Sequence, residues 1–231
     1  MRKYVPSSPN NMAANDKIIY IVAGGPKHLI PNSTFCEREG IVWIGVDRGV
    51  HYLLEKGIIP DLSVGDFDSV THSEWEKIKA QSPSVNRYRP EKDETDMELA
   101  IIMALKQNPS AIKVFGATGG RLDHFMANAL MLVQFQTPKS NVKIEIIDIQ
   151  NAISVFSPGK YEVVWDSQTK YISFLPLTAE VKNITLVGFK YPLANKTVHF
   201  GSSLCISNEL IQQSGTFSFE KGILMMIRSS D

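Results

Sequence analysis

Through residue 149 the chain alternates two hydrophobic periods. Short runs rich in β-branched residues at 17–23, 41–46, 62–65, 85–89, 111–115 and 143–149 read as strands. Between several of them apolar residues recur at helical spacing. Val50, Leu53 and Leu54 mark one face of a helix over 49–56, which Gly57 suits as a C-terminal stop. Thr71-His72-Ser73-Glu74 and Thr95-Asp96-Met97-Glu98 are capping boxes that open two further helices. Behind the second, Met97, Ile101, Ala104 and Leu105 fall on one face. A fourth helix is predicted over 122–135, with Leu122, Phe125, Met126, Ala129, Leu130 and Val133 packing inward. The run 143–149 shows little alternation and reads as a strand buried on both sides.

After residue 149 the helical period disappears. Strand candidates at 153–156, 161–164, 171–176, 184–187, 197–200, 216–219 and 223–227 are separated by turn residues such as Pro158-Gly159, Gly188, Asn195, Gly215 and Gly222. The predicted fold class is therefore an α/β N-terminal domain, with a mostly parallel sheet and helices on both faces, followed by a smaller all-β sandwich domain. Residues 1–16 are polar and read as a disordered extension, 17–149 as the α/β unit and 150–231 as the β unit.

The chemistry-bearing residues gather where the predicted strands end. In Gly65-Asp66-Phe67-Asp68-Ser69 two aspartates follow an apolar run. Side chains at i and i+2 of an extended segment point the same way, so Asp66 and Asp68 can face one shared point. Two carboxylates that close repel unless a proton or cation lies between them, and Mg2+ takes such hard oxygen ligands together with phosphates. The same residue types also suit a plain turn. Asp93-Glu94-Thr95-Asp96 adds acids around a helix start, more than capping needs, and Asp96 could complete a magnesium site. Gly119-Gly120-Arg121 leads from a strand into a helix, where backbone N–H groups and a guanidinium suit a phosphate; a tight turn with a solvated arginine fits the same residues. Asp47-Arg48-Gly49, after the second strand, is a place for a carboxylate on ribose or adenine. Asp123 and His124 sit in the first turn of the following helix.

Composition narrows the classes. Lys+Arg and Asp+Glu are both 24, so there is no basic excess of the kind nucleic-acid binders carry, and no nucleic-acid partner is expected. No apolar run approaches the ~20 residues that span a bilayer, so no membrane partner is expected. The first apolar run is too short for a secretory leader, and the two cysteines, Cys36 and Cys205, show no metal spacing; a cytoplasmic location is expected. No P-loop, complete dinucleotide fingerprint or nucleophile elbow is present.

Taken in order, Asp47-Arg48-Gly49, Gly65-Asp66-Phe67-Asp68-Ser69, Asp93-Glu94-Thr95-Asp96, Gly119-Gly120-Arg121-Leu122-Asp123-His124 and the β-rich tail resemble the thiamine pyrophosphokinase family over nearly the whole chain after the extension. The resemblance implies a cytoplasmic homodimer with its active site near the interface, an α/β domain for ATP and Mg2+, and a β-sandwich for thiamine. It implies Mg2+-dependent transfer of a pyrophosphoryl group from ATP to the thiamine hydroxyl, giving thiamine diphosphate and AMP. By the same resemblance Asp66, Asp68 and Asp96 are the metal and phosphate-handling acids, and Arg121 acts with them. Asp47, Arg48, Asp93, Gly119, Gly120 and Arg121 hold ATP. Asp123, His124, Ser207, Asn208 and Glu209 meet thiamine. Some members stack a tryptophan near the C-terminus on the thiamine pyrimidine; here that region reads Gly222-Ile223-Leu224-Met225, and an aliphatic residue is expected to pack there instead. Alternative readings are a phosphotransferase for another heterocyclic alcohol, such as a pterin, and a non-catalytic nucleotide or thiamine sensor.

Overall fold

The computed structural model describes residues 17–36, 38–68, 70–81, 85–87, 93–136 and 142–231, with the backbone alone at 85–87. The extension 1–16, Ser69 and the end of the predicted strand at 88–89 lie outside the described residues.

The first half runs β1 (Ile18–Val22), β2 (Ile41–Val46), α1 (Arg48–Glu55), β3 (Leu62–Gly65), α2 (His72–Gln81), β4 (Val85–Arg87), α3 (Asp96–Leu105), β5 (Ala111–Phe115), α4 (Leu122–Phe135) and β6 (Lys143–Ile147). The first capping box forms in full, and the second forms its N-cap half. Glu74 N donates to Thr71 Oγ1 at 3.3 Å and Thr71 N to Glu74 Oε2 at 2.6 Å, while Glu98 N donates to Thr95 Oγ1 at 3.2 Å. The second half contributes β7 (Asn151–Phe156), β8 (Gly159–Val164), β9 (Tyr171–Pro176), β10 (Glu180–Val187), β11 (Leu193–His199), β12 (Ser214–Phe219) and β13 (Leu224–Ser229).

A nine-stranded sheet has the order β4-β3-β2-β1-β5-β6-β7-β13-β9. Its first six strands are parallel, and β7, β13 and β9 join antiparallel. Period-two alternation sorts the strands between two helical layers. Ile19 and Ile21 face α3 and α4, packing with Ile101, Ala104, Ala129 and Leu132. Tyr20 and Val22 face the opposite way, with Trp43, Leu53 of α1 and Phe115.

The sheet does not stop at residue 149. Asp148 Oδ1 accepts from Gln150 N and Asn151 N, at 2.8 and 2.7 Å, and this tight turn returns the chain into β7 beside β6. A four-stranded antiparallel sheet, β11-β10-β12-β8, covers β7, β13 and β9, and Phe174, Leu224, Met226, Val181, Phe217 and Phe219 fill the space between. One stretch of sheet thus serves both layers: Met225 of β13 packs toward α3 and α4, while Leu224 and Met226 pack into the sandwich.

Three expectations change. β6 is not buried on both sides: Ile144 and Ile146 are buried, whereas Lys143 is exposed and Glu145 only half-buried. On α4, Ala129, Met131 and Leu132 are buried, but Leu122, Met126 and Leu130 are exposed by 75%, 50% and 45%. These three are spaced at i, i+4 and i+8 and form one outward stripe; the helix is apolar on more sides than the sheet can cover. In the segment expected to offer an aliphatic residue to a ligand, Leu224 and Met225 are instead buried in β13, while Ile223 ahead of the strand is half-buried against the helical layer. Among the described residues no helix is long and apolar enough to cross a membrane.

Candidate active site

Strand order reverses between β1 and β5, the chain having moved outward through β2, β3 and β4 and returned to the other side of β1. Connections on either side of such a point diverge and leave a crevice beyond the carboxyl ends of the strands. Here the crevice is lined by the segments after β1, β2, β3 and β5. They lie close: Gly25 N donates to Gly116 O at 2.9 Å, and a β-carbon on Gly25 would fall 2.4 Å from that oxygen. Likewise a β-carbon on Gly49 would lie 1.9 Å from Val22 O. These glycines are packing requirements of the crevice floor.

Asp47 ends β2. It has φ 49°, its N–H donates to Val64 O at 3.0 Å, and its carbonyl accepts from Val50 N at 3.1 Å. The bend turns its carboxylate toward the end of β3, where Asp66 begins, while Asp96 opens α3 above them. One carboxylate oxygen from each of Asp47, Asp66 and Asp96 lies within 4.8 Å of the others, and all three residues are half-buried. Oxygens at ~2.1 Å from a shared Mg2+ stand ~3–4 Å apart, so side-chain shifts that close each gap by at most about 2 Å would let the three share one ion.

The electrostatics point the same way. Asp47 is pushed up to about 7, first by burial, then by the negative charge of Asp96, with Asp66 and Asp68 adding to it and a backbone N–H of Phe67 opposing. Its Oδ1 is buried and accepts no hydrogen bond from the described residues. A buried carboxylate oxygen that faces other carboxylates and has no donor suits a hard cation or a shared proton. That is the fit expected of a magnesium site, and these side chains are the ones that would hold the ion.

Asp68 occupies a different position from the one its spacing suggested. β3 ends at Gly65, and Phe67 has φ 60°, so the segment is not extended and alternation does not bring Asp66 and Asp68 to one face. The turn is held by Phe67 itself, buried beside Trp75 with ring centroids 5.0 Å apart, and by Asp68 N donating to Asp66 Oδ1 at 3.0 Å. Asp68 is exposed at the rim, near enough to raise Asp47 but outside the close cluster. Asp47, assigned to nucleotide on the sequence, is the third member. The signal that could have found it is strand adjacency: β2 and β3 are parallel neighbours, so aspartates just past their ends meet.

The remaining predicted residues fall in three places. Arg48 opens α1 beside Gly24, whose β-carbon would lie 3.1 Å from Arg48 Cβ. Asp93 is exposed ahead of α3. Gly119 and Gly120 have φ 74° and 64° and are exposed where β5 passes into α4, with Arg121 and Asp123 beyond them. Arg121 Nε and Nη2 donate to Asp123 Oδ1 and Oδ2 at 3.1 and 2.6 Å, in a fork fully open to solvent that holds Asp123 down at about 2. His124 is exposed next to it. A fork that takes one carboxylate in this way can take phosphate oxygens in exchange.

Ser207, Asn208 and Glu209 lie in the sandwich, pinned to β9 by Ile172 N to Asn208 O and Asn208 N to Ile172 O, at 2.7 and 3.0 Å. Asn208 is buried and its amide is taken up by the loop: Nδ2 donates to Tyr191 O, and Oδ1 accepts from Tyr191 N. Ser207 has φ 55° and is exposed; Glu209 Oε1 pairs with Lys190 at 2.9 Å. In the large sheet β9 stands four places from β5, which at ~4.8 Å per strand puts this loop roughly 19 Å to the side of the crevice.

Comparison with known proteins adds to this geometry. Residues 37–146 match the family described as thiamin pyrophosphokinase, catalytic domain, and residues 160–224 match thiamin pyrophosphokinase, vitamin B1 binding domain. The chain is 51% identical over 215 residues to the thiamine pyrophosphokinase of Bacillus subtilis strain 168, covering 93% of this chain and all of the relative. The crystal structure of the Bacillus subtilis thiamine pyrophosphokinase superposes with a TM-score of 0.85 at 50% identity, over 93% of this chain and 100% of that one. Thiamin pyrophosphokinase from Candida albicans shares the fold, with a TM-score of 0.77 at 16% identity over 93% of this chain and 90% of that one.

Proposed function

The chain belongs to the thiamine pyrophosphokinase family, and from that premise we propose that it transfers the terminal pyrophosphoryl group of ATP to the hydroxyl of thiamine, with Mg2+ at the crevice carboxylates. The observation that carries the metal and phosphate part is the convergence of Asp47, Asp66 and Asp96 at the ends of neighbouring elements.

The thiamine hydroxyl oxygen attacks the β-phosphorus of ATP. The bond between that phosphorus and the oxygen bridging to the α-phosphate breaks, AMP leaves with the bridging oxygen, and the hydroxyl proton passes to a carboxylate or to water. Such a transfer asks the protein for alignment and charge stabilisation rather than covalent chemistry. Bound magnesium would supply charge neutralisation on the phosphate oxygens. Arg121 would exchange Asp123 for the transferring phosphates, and the exposed backbone at Gly119 and Gly120 allows them a close approach. Arg48 and Asp93 at the crevice rim would meet the nucleotide.

Thiamine would meet the sandwich loop at Ser207 and Glu209. Because that loop lies roughly 19 Å from the crevice of its own chain, a complete site calls for a second copy. The apolar stripe Leu122, Met126 and Leu130 starts at the rim of the crevice and offers that copy a surface. A homodimer with composite sites is thus part of the reading.

The reaction is tested by 31P NMR of ATP, Mg2+, thiamine and protein: AMP signals should grow and stop on addition of a chelator. Growth of ADP in their place would overturn the reading.

A further inference from the structure

A pocket of about 200 Å3 opens at the end of the sandwich, lined among others by Trp165, Asp166, Ile172, Glu209, Leu210 and Arg228. Two of its features lack an account in the fold. The first is Arg228, which follows Leu224 and Met226 in the inward-facing row of β13. Its Nε donates to Thr169 Oγ1 at 3.1 Å, but its Nη2 is buried without a hydrogen-bond acceptor among the described residues, 4.0 Å from Asp166 Oδ2. The second is Trp165. Its backbone is fixed by donation to Gln213 O at 2.7 Å, yet the residue is 53% exposed at the pocket. Large aromatic side chains are mostly buried in folded proteins, and one held over a cavity offers a flat apolar face to a ligand.

The exposed Trp165 side chain, a buried N–H donor without an acceptor, and the Asp166 carboxylate complement a flat heteroaromatic ring that carries both a ring-nitrogen acceptor and an amino group; Glu209 in the same lining is engaged by Lys190. The aminopyrimidine half of thiamine has that pattern. Trp165, Asp166, Glu209 and Leu210 all fall within the span matching the vitamin B1 binding domain, and Glu209 and Leu210 continue the loop that bears Ser207. Of the residues expected to pack on the ring, at 222–225, Leu224 and Met225 are occupied in the core.

We propose that Trp165 is the stacking partner of the thiamine pyrimidine in this chain, with Arg228 Nη2 donating to a ring nitrogen. The proposal rests on the thiamine reading above and adds to it a specificity-determining residue. Trp165 touches the far end of the substrate from the reacting hydroxyl, so it governs thiamine capture and leaves the transfer step alone.

The test is steady-state kinetics of the full chain with ATP, Mg2+ and thiamine, alongside tryptophan fluorescence. Trp165→Ala should raise the thiamine KM at least tenfold, with kcat and the ATP KM within about twofold of the parent. Trp165→Phe should keep the thiamine KM within about threefold, as a retained ring predicts. Thiamine should quench the parent's fluorescence and leave that of Trp165→Phe unchanged, since Trp43 is buried and Trp75 is packed on Phe67. Unaltered thiamine KM and quenching in these variants, with the parent fully active, would overturn the proposal and leave the proposed function standing. A parent that binds ATP but does not turn over thiamine would overturn both.

Discussion

Gly65 lies directly beneath Asp47: a β-carbon built on Gly65 would fall 2.1 Å from Asp47 Oδ1. The glycine also has φ 151°, a conformation side chains rarely adopt. The third carboxylate of the cluster therefore depends on a missing side chain one strand away. Gly65→Ala should push Asp47 out of the cluster, lower turnover on the order of tenfold to a hundredfold and raise the Mg2+ concentration for half-maximal rate. Titration of the rate with Mg2+ checks this; an unchanged curve would remove the steric link from the account.

The acidity of Asp47 gives a pH signature in the metal-free protein. Its carboxyl is raised to about 7 in the fold from an ordinary value of 3.8. Below pH ~4 both folded and unfolded chains hold the proton, and the group contributes nothing to stability. Between pH ~4 and 7 the unfolded chain has released it and the folded chain has not, so folding becomes progressively less favourable; above pH ~7 the penalty is complete and constant. Asp47→Asn should therefore stabilise the metal-free protein at pH 8 and not at pH 4. Allowing for the carboxylate's partial exposure, the gain is on the order of 1–2 kcal/mol, or roughly 2–8 °C in Tm. Thermal melts in chelator at the two pH values measure it, and equal shifts at both would contradict the assignment.

Arg121 separates function from stability. Its ion pair with Asp123 is open to solvent, and such pairs add little to folding. Arg121→Ala should leave Tm within about 1 °C of the parent while lowering kcat on the order of a hundredfold through lost phosphate stabilisation. A parent-like kcat would take Arg121 out of the transfer.

The outward stripe on α4 is the place to test the composite site. Met126→Glu sets a charge in the middle of the exposed row Leu122, Met126 and Leu130. The variant should sediment as a monomer with an unchanged circular dichroism spectrum, keep ATP binding, and lose most thiamine turnover. A parent-like dimer with full activity would place the interface elsewhere on the chain.

How much of this was legible in the sequence depends on how far each feature reaches along the chain. Local signals carried well: the capping box at Thr71 forms, Thr95 caps α3, Gly57 takes its positive φ after α1, and most strand candidates appear within a few residues of their expected bounds. Features set by non-local pairing did not carry. Nothing in the run 223–227 says that β13 joins the large sheet between β7 and β9, so Leu224 and Met225 read as available when they are buried. The carboxylate cluster was half visible. Asp66 and Asp96 were found from their motifs, but their meeting with Asp47 follows from β2 and β3 lying side by side, and the separation of Asp68 follows from a positive φ at Phe67 that no glycine or asparagine announces. On α4 the periodicity marked apolar positions without saying which the chain itself covers. Nothing in the sequence around Trp165 separates a core tryptophan from one at a binding pocket; the pocket beside it does.

The most direct test of the central claim compares the parent chain with Asp66→Asn, each incubated with ATP, Mg2+ and thiamine, with products identified by mass spectrometry. The account predicts thiamine diphosphate and AMP in equal amounts from the parent, and a rate lower by on the order of a thousandfold from the folded variant. Thiamine monophosphate with ADP from the parent, or undiminished turnover by Asp66→Asn, would contradict it.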